Sequence, residues 1–206
     1  EKRVLSNARL IIANSQLAAT GLEDLYGISQ DRVALIRNGV DLLRFRPGGG
    51  ESVPSGTICF MGGGFHRKGL DRLIMALALL PRVRLEVIGH DPQWRRFLRL
   101  AQKAGVLERV VFRGDISAPE KILPRCDVFV LPTRYDSAAN SCLEALACGV
   151  PVVTTASNGM SEILPMPWMC IDDPDDPVAL SKAIARAMST PGLRDRSREV
   201  AEEFPA

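Results

Sequence analysis

Short runs of apolar residues alternate along most of the chain with stretches whose apolar positions recur every three or four residues. The first pattern suits buried strands and the second suits helices lying on a sheet. Strands are predicted over residues 57–61, 83–88, 110–113, 128–131, 150–154 and 168–171, and helices over 70–80, 93–104, 119–123, 139–148 and 177–188. A last helix follows Pro191-Gly192, and a separate strand-helix-strand segment comes first, over 10–13, 18–26 and 33–36. The regular alternation predicts an α/β fold, a parallel sheet with helices on both faces. Gly89, Gly105 and Gly149-Val150-Pro151 mark joints between elements, and the turn-rich residues 46–56 read as a mobile loop. No internal repeat is visible.

Composition narrows the class without changing this picture. The 206 residues suffice for one ordinary domain, or one domain with a fragment of another, and 46% hydrophobic with 24% charged residues is the balance of a soluble globular protein. A formal net charge of +2 is too small for the basic footprint that nucleic-acid binding needs. The five cysteines (Cys59, Cys126, Cys142, Cys148 and Cys170) include no C-x-x-C pair and are odd in number, which supports neither a disulfide framework nor a zinc site and fits a reducing cytoplasm. No run approaches the roughly 18 apolar residues of a membrane span, which leaves association at a membrane surface open. A start without Met and an end in Glu202-Glu203-Phe204-Pro205-Ala206 read as an excised fragment.

Open parallel sheets bind ligands beyond the carboxyl ends of their strands, and three segments sit there. Gly62-Gly63-Gly64-Phe65-His66-Arg67-Lys68-Gly69 joins a strand to a helix. Glycines such as Gly63 and Gly64 let the backbone approach a ligand, while Arg67 and Lys68 offer fixed charge to phosphate oxygens, so a diphosphate suits the segment. It is no P-loop, because Gly69 follows Lys68, and no dinucleotide fingerprint, because Arg67 stands where glycine is needed. A tight turn with solvated basic residues remains the plainer reading. The second segment runs from Asp136 to Pro151, with Asp136 in a loop and Asn140, Ser141, Cys142 and Glu144 on the helix that follows. Its small residues would let an anion reach the amides and dipole of the first turn. Glu144 can face the same crevice while Leu143, Leu146 and Ala147 turn inward, although a helix carboxylate is ordinarily just solvated. The third, Arg113-Gly114-Asp115-Ile116, is a short loop able to hold a flat base through backbone groups.

Asn38-Gly39-Val40-Asp41, Phe65-x-Arg67-Lys68-Gly69-x-Asp71, and Asp136-x7-Glu144 followed by Ala145-x-Ala147-x-Gly149-x-Pro151-Val152-Val153 together resemble glycosyltransferase family 4. The run from Phe65 to Arg72, with Ile74-x-Ala76-Leu77-Ala78 after it, is most similar to the bacterial lipopolysaccharide core glucosyltransferases.

That resemblance implies a GT-B enzyme of two facing Rossmann-like domains, of which residues 39–206 would be the nucleotide-sugar-binding C-terminal half and residues 1–38 a remnant of the N-terminal acceptor domain. Lys68 and Arg67 would hold the diphosphate of a nucleotide sugar, and the amides around Asn140, Ser141 and Cys142 would cradle it from the other side. Glu144 would take the ribose hydroxyls, Asp136 the hydroxyls of the transferred sugar, and the loop from Arg113 to Ile116 the base. The family's two-glutamate motif has Asp136 in first place, one methylene shorter, a departure that bears on the sugar contact and the donor. The expected reaction is retaining hexosyl transfer from a nucleotide diphosphate sugar, with UDP-glucose or a relative favoured, to lipopolysaccharide or another glycan. No metal or other cofactor is expected, because the side chains and helix N-terminus stabilise the leaving diphosphate. The missing domain would bring the acceptor, the full-length protein would work in the cytoplasm or at the cytoplasmic face of the inner membrane, and the fragment alone would bind more than it catalyses. A sugar-nucleotide epimerase half and a non-catalytic nucleotide-binding module stand as alternatives.

Other conspicuous residues have plainer roles. His66 and His90 sit in loops as solvated or locally bonded histidines, His66 with a minor phosphate contact open to it. The stretch from Trp94 to Arg99 reads as an amphipathic surface helix and Cys142 and Cys148 as buried packing.

Overall fold

The computed structural model describes residues 2–48 and 55–206, so the predicted loop at 46–56 lies outside the described residues over 49–54. The chain opens with α1 (Lys2–Asn7), β1 (Ile11–Ala13), α2 (Gln16–Tyr26) and β2 (Val33–Leu35), the two strands pairing in parallel as a small sheet of their own. The sequence pattern missed α1, a helix of six residues too short to show a period. Ser15 starts α2 by accepting from the Ala18 amide, and Gly27 ends it.

The main sheet contains β3 (Thr57–Met61), β4 (Arg84–Ile88), β5 (Val110–Gly114), β6 (Val128–Leu131), β7 (Val152–Thr155) and β8 (Cys170–Ile171), in the order β5-β4-β3-β6-β7-β8 and parallel throughout. Every residue of β6 and β7 is buried, which explains why these segments read as unbroken rather than alternating runs. At the edge, β5 alternates, burying Val110 and exposing Val111 and Arg113. The helices are α3 (Leu70–Ala78), α4 (Trp94–Lys103), α5 (Asn140–Ala147), α6 (Pro177–Ser189) and α7 (Leu193–Glu202). Helix α3 packs against α4 and α6, whereas α5 packs against α7. Right-handed crossovers leaving β3 and β6 in opposite directions place α3 and α5 on opposite faces of the sheet. On α4, Phe97 and Ala101 face inward and Arg95, Arg96, Arg99 and Lys103 face solvent, an ordinary amphipathic arrangement. No helix of the described residues is long and apolar enough to cross a membrane.

Three elements differ from the sequence pattern for identifiable reasons. Residues 119–123 do not form one helix but belong to two 3-10 turns, Pro119–Lys121 and Leu123–Arg125, because Pro124 has no amide to continue a ladder. Strand β7 begins at Val152 rather than residue 150, since the Val150 amide closes α5 by donating to Ala145 O. Only the second half of the strand predicted at 168–171 is extended, its first half being the 3-10 turn Pro167–Met169.

Strand β3 has β4 on one side and β6 on the other, so the order of the chain reverses between β3 and β6. The loops leaving the carboxyl ends of these two strands are therefore neighbours, and a crevice opens where they part. The β3 loop is anchored by Phe65, which is buried and meets Phe60 and Phe97 edge-on with centroids 5.8 and 5.4 Å away. Gly69 ends the loop at φ +80°, and a β-carbon there would fall 2.7 Å from the carbonyl carbon of Pro132 and closer still to its oxygen. Gly69→Ala is expected to destabilise the fold by about 3 kcal/mol or more, combining a left-handed backbone with a clash against main chain. Denaturant unfolding measures this, and an unchanged midpoint would show that the two loops do not pack as described.

Candidate functional site

Lys68 and Arg67, from the β3 loop, meet Asp136, from the β6 loop. Lys68 Nζ donates to Asp136 Oδ2 at 2.6 Å, and Arg67 Nη1 donates to the same oxygen at 3.0 Å and to Tyr135 O at 2.9 Å. The Lys68 and Asp136 side chains are only 11% and 12% exposed, whereas Arg67 is 52% exposed, so one cation is walled in and the other lies at the lip. Among the described residues the contact links segments 68 positions apart in the chain.

A scaffold of hydrogen bonds holds these groups. Arg134 reaches back across the crevice, its guanidinium donating to both oxygens of Asp71 at 2.9 Å, to His66 O at 2.6 Å and to Asp175 Oδ1 at 3.1 Å. Those acidic neighbours, Asp71 foremost, raise the Arg134 pKa above its ordinary value, so it stays charged. The Arg134 amide donates to Arg67 O at 2.8 Å, and buried Thr133 places its hydroxyl 3.0 Å from the carbonyl oxygens of Arg67 and Tyr135. On the far side, buried Asp91 accepts from the Phe65 amide at 2.7 Å and from the Gln93 amide at 2.7 Å, fixing the turn that contains Gly63 and Gly64. Asp136 is fixed through its backbone, its N–H donating to Ser157 O and its carbonyl accepting from Gly159 N–H.

Four residues after Asp136 the helix α5 begins, with no side chain capping it at Ala139. Its first two amides, Asn140 and Ser141, are taken up by no hydrogen bond among the described residues, while the Cys142 amide already donates to Ala139 O at 2.9 Å. The expected cradle thus narrows to Asn140 and Ser141, because the helix opens with a tighter turn that uses the third donor. Fully buried Asn158 steadies this end by accepting from the Ala139 and Met160 amides and donating to Thr154 Oγ1. Its Nδ2 also lies 3.4 Å from Cys142 Sγ. Burial pushes the Cys142 thiol up to about 12, against a partial offset from Asn158, and burial likewise holds Cys148 at about 12; both are inert packing groups. Asn38 reaches the same corner, donating to Asn140 Oδ1 at 2.6 Å.

Glu144 lies one turn further along α5, half-buried, while Leu143, Ala145, Leu146 and Ala147 enter the core. Desolvation pushes its carboxyl above the ordinary glutamate range, with Arg44 nearby pulling the other way and Glu120 adding to the rise. Arg113 belongs to β5, as its place at the end of the predicted strand requires, and its guanidinium is bound by Glu86 of β4 at 2.9 and 3.2 Å. Only the backbone beyond Gly114, with Ile116 packed against the core, is left to form a lip at the β5 end. His66 and His90 stay in loops, and only the main-chain oxygen of His66 takes part in the scaffold. Among the described residues no three His, Cys, Asp or Glu side chains cluster as a metal site would require.

A groove of about 1,700 Å³ lies elsewhere, lined by Arg44, Asp127, Pro151, Thr190 and Arg194 and by none of Lys68, Asp136, Asn140 or Glu144. Asp127 and Pro151 precede β6 and β7, so this groove is at the amino side of those strands, where an open parallel sheet offers no free helix N-terminus. Charge and free amides, rather than volume, single out the crevice between β3 and β6.

Comparison with known proteins identifies the fold and the family. Over 175 residues the chain is 29% identical to the D-inositol 3-phosphate glycosyltransferase of Mycolicibacterium smegmatis, a match covering 78% of this chain and 40% of that protein. It therefore spans about two fifths to a half of the length of the curated relatives it matches. Among solved structures, sucrose-phosphate synthase of Thermosynechococcus elongatus superposes with a TM-score of 0.84 at 28% identity, covering 98% of this chain and 56% of that one. Anabaena HepE, solved in complex with UDP and glucose, superposes with a TM-score of 0.87 at 20% identity, covering 99% and 62%. The fold is thus the Rossmann-like one of the GT-B glycosyltransferases. With residues 44–204 matching the family model for glycosyl transferases group 1, the chain belongs to that family.

Proposed function

We propose that this chain is the donor-binding part of a retaining hexosyltransferase that takes a hexose from a nucleotide diphosphate sugar, UDP-glucose or a relative, to lipopolysaccharide or another glycan. One observation carries the reading: a walled-in lysine and a lip arginine of one switch-point loop converge beside the uncapped start of α5. Positive charge on one wall and free amides on the other fit two linked phosphoryl groups between them. The complexes of Anabaena HepE with UDP and with UDP-glucose, on the same fold, favour uridine and glucose in this role.

In this reading the diphosphate lies between Lys68, Arg67 and the amides of Asn140 and Ser141, near Gly63 and Gly64. The ribose hydroxyls donate to Glu144, and the base rests against backbone from Gly114 to Ile116. As the anomeric C–O bond breaks, negative charge grows on the leaving diphosphate, and preorganised donors favour that charge most when it is fully developed. The protein itself supplies the cationic charge. Asp136 meets hydroxyls of the transferred sugar and is not assigned as a nucleophile. Residues 1–38 are the end of an acceptor-binding domain, held here by contacts with the C-terminal half: Glu162 accepts from the Gln16 and Leu17 amides and pairs with Arg37 at 2.7 Å.

Titration calorimetry of this chain with UDP tests the assignment. Lys68→Ala is expected to weaken binding by about 10- to 100-fold, the equivalent of a charge-assisted hydrogen bond of about 1.5 to 3 kcal/mol. Unchanged affinity would remove the phosphate site. Glu144→Gln should weaken UDP too, and 2′-deoxy-UDP should then lose little more; simple additivity would mean the ribose lies elsewhere.

The same substitution has a second, opposite effect on stability. An acid whose pKa is raised on folding binds more protons folded than unfolded, so its unfavourable contribution grows as pH rises through the raised value and vanishes below the ordinary glutamate range. Glu144→Gln is therefore expected to raise the melting temperature by about 2 °C at neutral pH and by nothing near pH 4. A scan showing equal melting temperatures at both pH values would mean that the carboxylate is fully hydrated.

A further inference from the structure

Asp136 Oδ2 accepts from both site cations, at 2.6 Å from Lys68 Nζ and 3.0 Å from Arg67 Nη1, and so occupies the position at which a phosphate oxygen would be bound. We infer that Asp136 is an internal stand-in for phosphate, exchanged for the diphosphate on binding, and that this exchange lets the site favour a nucleotide still carrying its sugar over the bare nucleoside diphosphate. The inference rests on the functional reading above and adds to it a mode of discrimination.

The geometry leaves the carboxylate little room to withdraw. Its backbone is bonded on both sides, the N–H to Ser157 O and the carbonyl to Gly159 N–H, and a β-carbon at Gly159 would overlap Ser137 O and the Ser15 side chain. The loop is therefore pinned, and only rotation about the Asp136 side-chain bonds is free. With the Lys68 and Asp136 side chains 11% and 12% exposed, solvent screens their interaction poorly. A diphosphate that captures Lys68 and Arg67 leaves behind an anion held close to its own negative charge and stripped of both donors. A nearly buried acceptor without a partner is unfavourable, as is a like charge beside it. Hydroxyls of a sugar attached to the diphosphate supply the missing donors. A bare diphosphate does not, so once the sugar has left, the Lys68–Asp136 pair reforms and expels the product.

A competing account makes Asp136 a support that merely orients Lys68, and the two accounts differ in sign. Under exchange, Asp136→Asn, which keeps the shape and removes the charge, binds UDP and inorganic pyrophosphate about 10-fold more tightly than wild type at low salt. Under support it binds them equally or more weakly, and either result overturns the exchange. The ratio of UDP-glucose affinity to UDP affinity should also fall in Asp136→Asn; an unchanged ratio overturns the discrimination. Calorimetry reads all these values, and near-ultraviolet circular dichroism confirms the fold of each variant. In a Lys68→Ala background the gain from Asp136→Asn should shrink to well under 10-fold, because the shorter of the two pairs to be broken is gone and only that with Arg67 remains; an undiminished 10-fold gain would trace it to general charge and overturn the exchange. Failure of wild type and Asp136→Asn alike to bind UDP or pyrophosphate would overturn the functional reading itself, whereas wild-type binding without a gain in the variant overturns only the exchange.

Discussion

One carboxylate oxygen shared by two cations, Asp136 Oδ2 between Lys68 and Arg67, governs the carboxyl end of the sheet. The contact can form only because β3 and β6 are neighbours although 66 residues separate Met61 from Val128 in numbering and two strands intervene. Gly69 lets the main chain of Pro132 pass where any side chain would block it, and Arg134 ties the β6 loop back to Asp71 and His66 O. A buried aromatic, Phe65, anchors the near wall to the core. The restraints come from both loops and from the core beneath them, so the site is placed by the sheet as a whole and not by one loop alone.

Those restraints divide cleanly into what periodicity reveals and what it does not. Strands β3, buried through its centre, and β6, buried throughout, were legible to the residue, since turns bound a continuous apolar run on both sides. Glycines, basic residues and the Asp136-x7-Glu144 spacing marked segments that the fold brings together. The scaffold beneath them was not legible: Arg134, Asp91, Thr133 and Asn158 are common residue types whose significance lies in partners that are mostly far away in the chain. The partner of Arg113 was equally illegible, since its register beside β4 delivers it to Glu86. Secondary-structure period is local information, whereas cross-strand pairing needs the register of two separate segments.

The site also retains features that act against stability. Glu144 carries a charge into a half-buried position on a helix whose other inward residues are apolar, and α5 starts without a capping side chain. A cap at Ala139 would satisfy the amides of the first turn and strengthen the helix by about 1 kcal/mol, but it would occupy the donors the crevice presents. The apolar sheet below, with β6 and β7 wholly buried, tolerates both costs.

The carboxylate of Glu162 ends this chain of dependence in an unexpected place, at the start of α2. The amide of Leu17 finds its acceptor 145 residues later, and the Val40 amide finds Phe204 O further along still. During synthesis at about 5 to 20 residues per second, α2 would wait roughly 7 to 30 seconds for that acceptor to emerge from the ribosome. Meanwhile, among the described contacts of its first turn, the Ser15 cap is already in place. Early-made segments are thus sealed by late-made ones, which makes the nascent protein, rather than the finished one, the stage at which this helix is most exposed to misassembly and proteolysis.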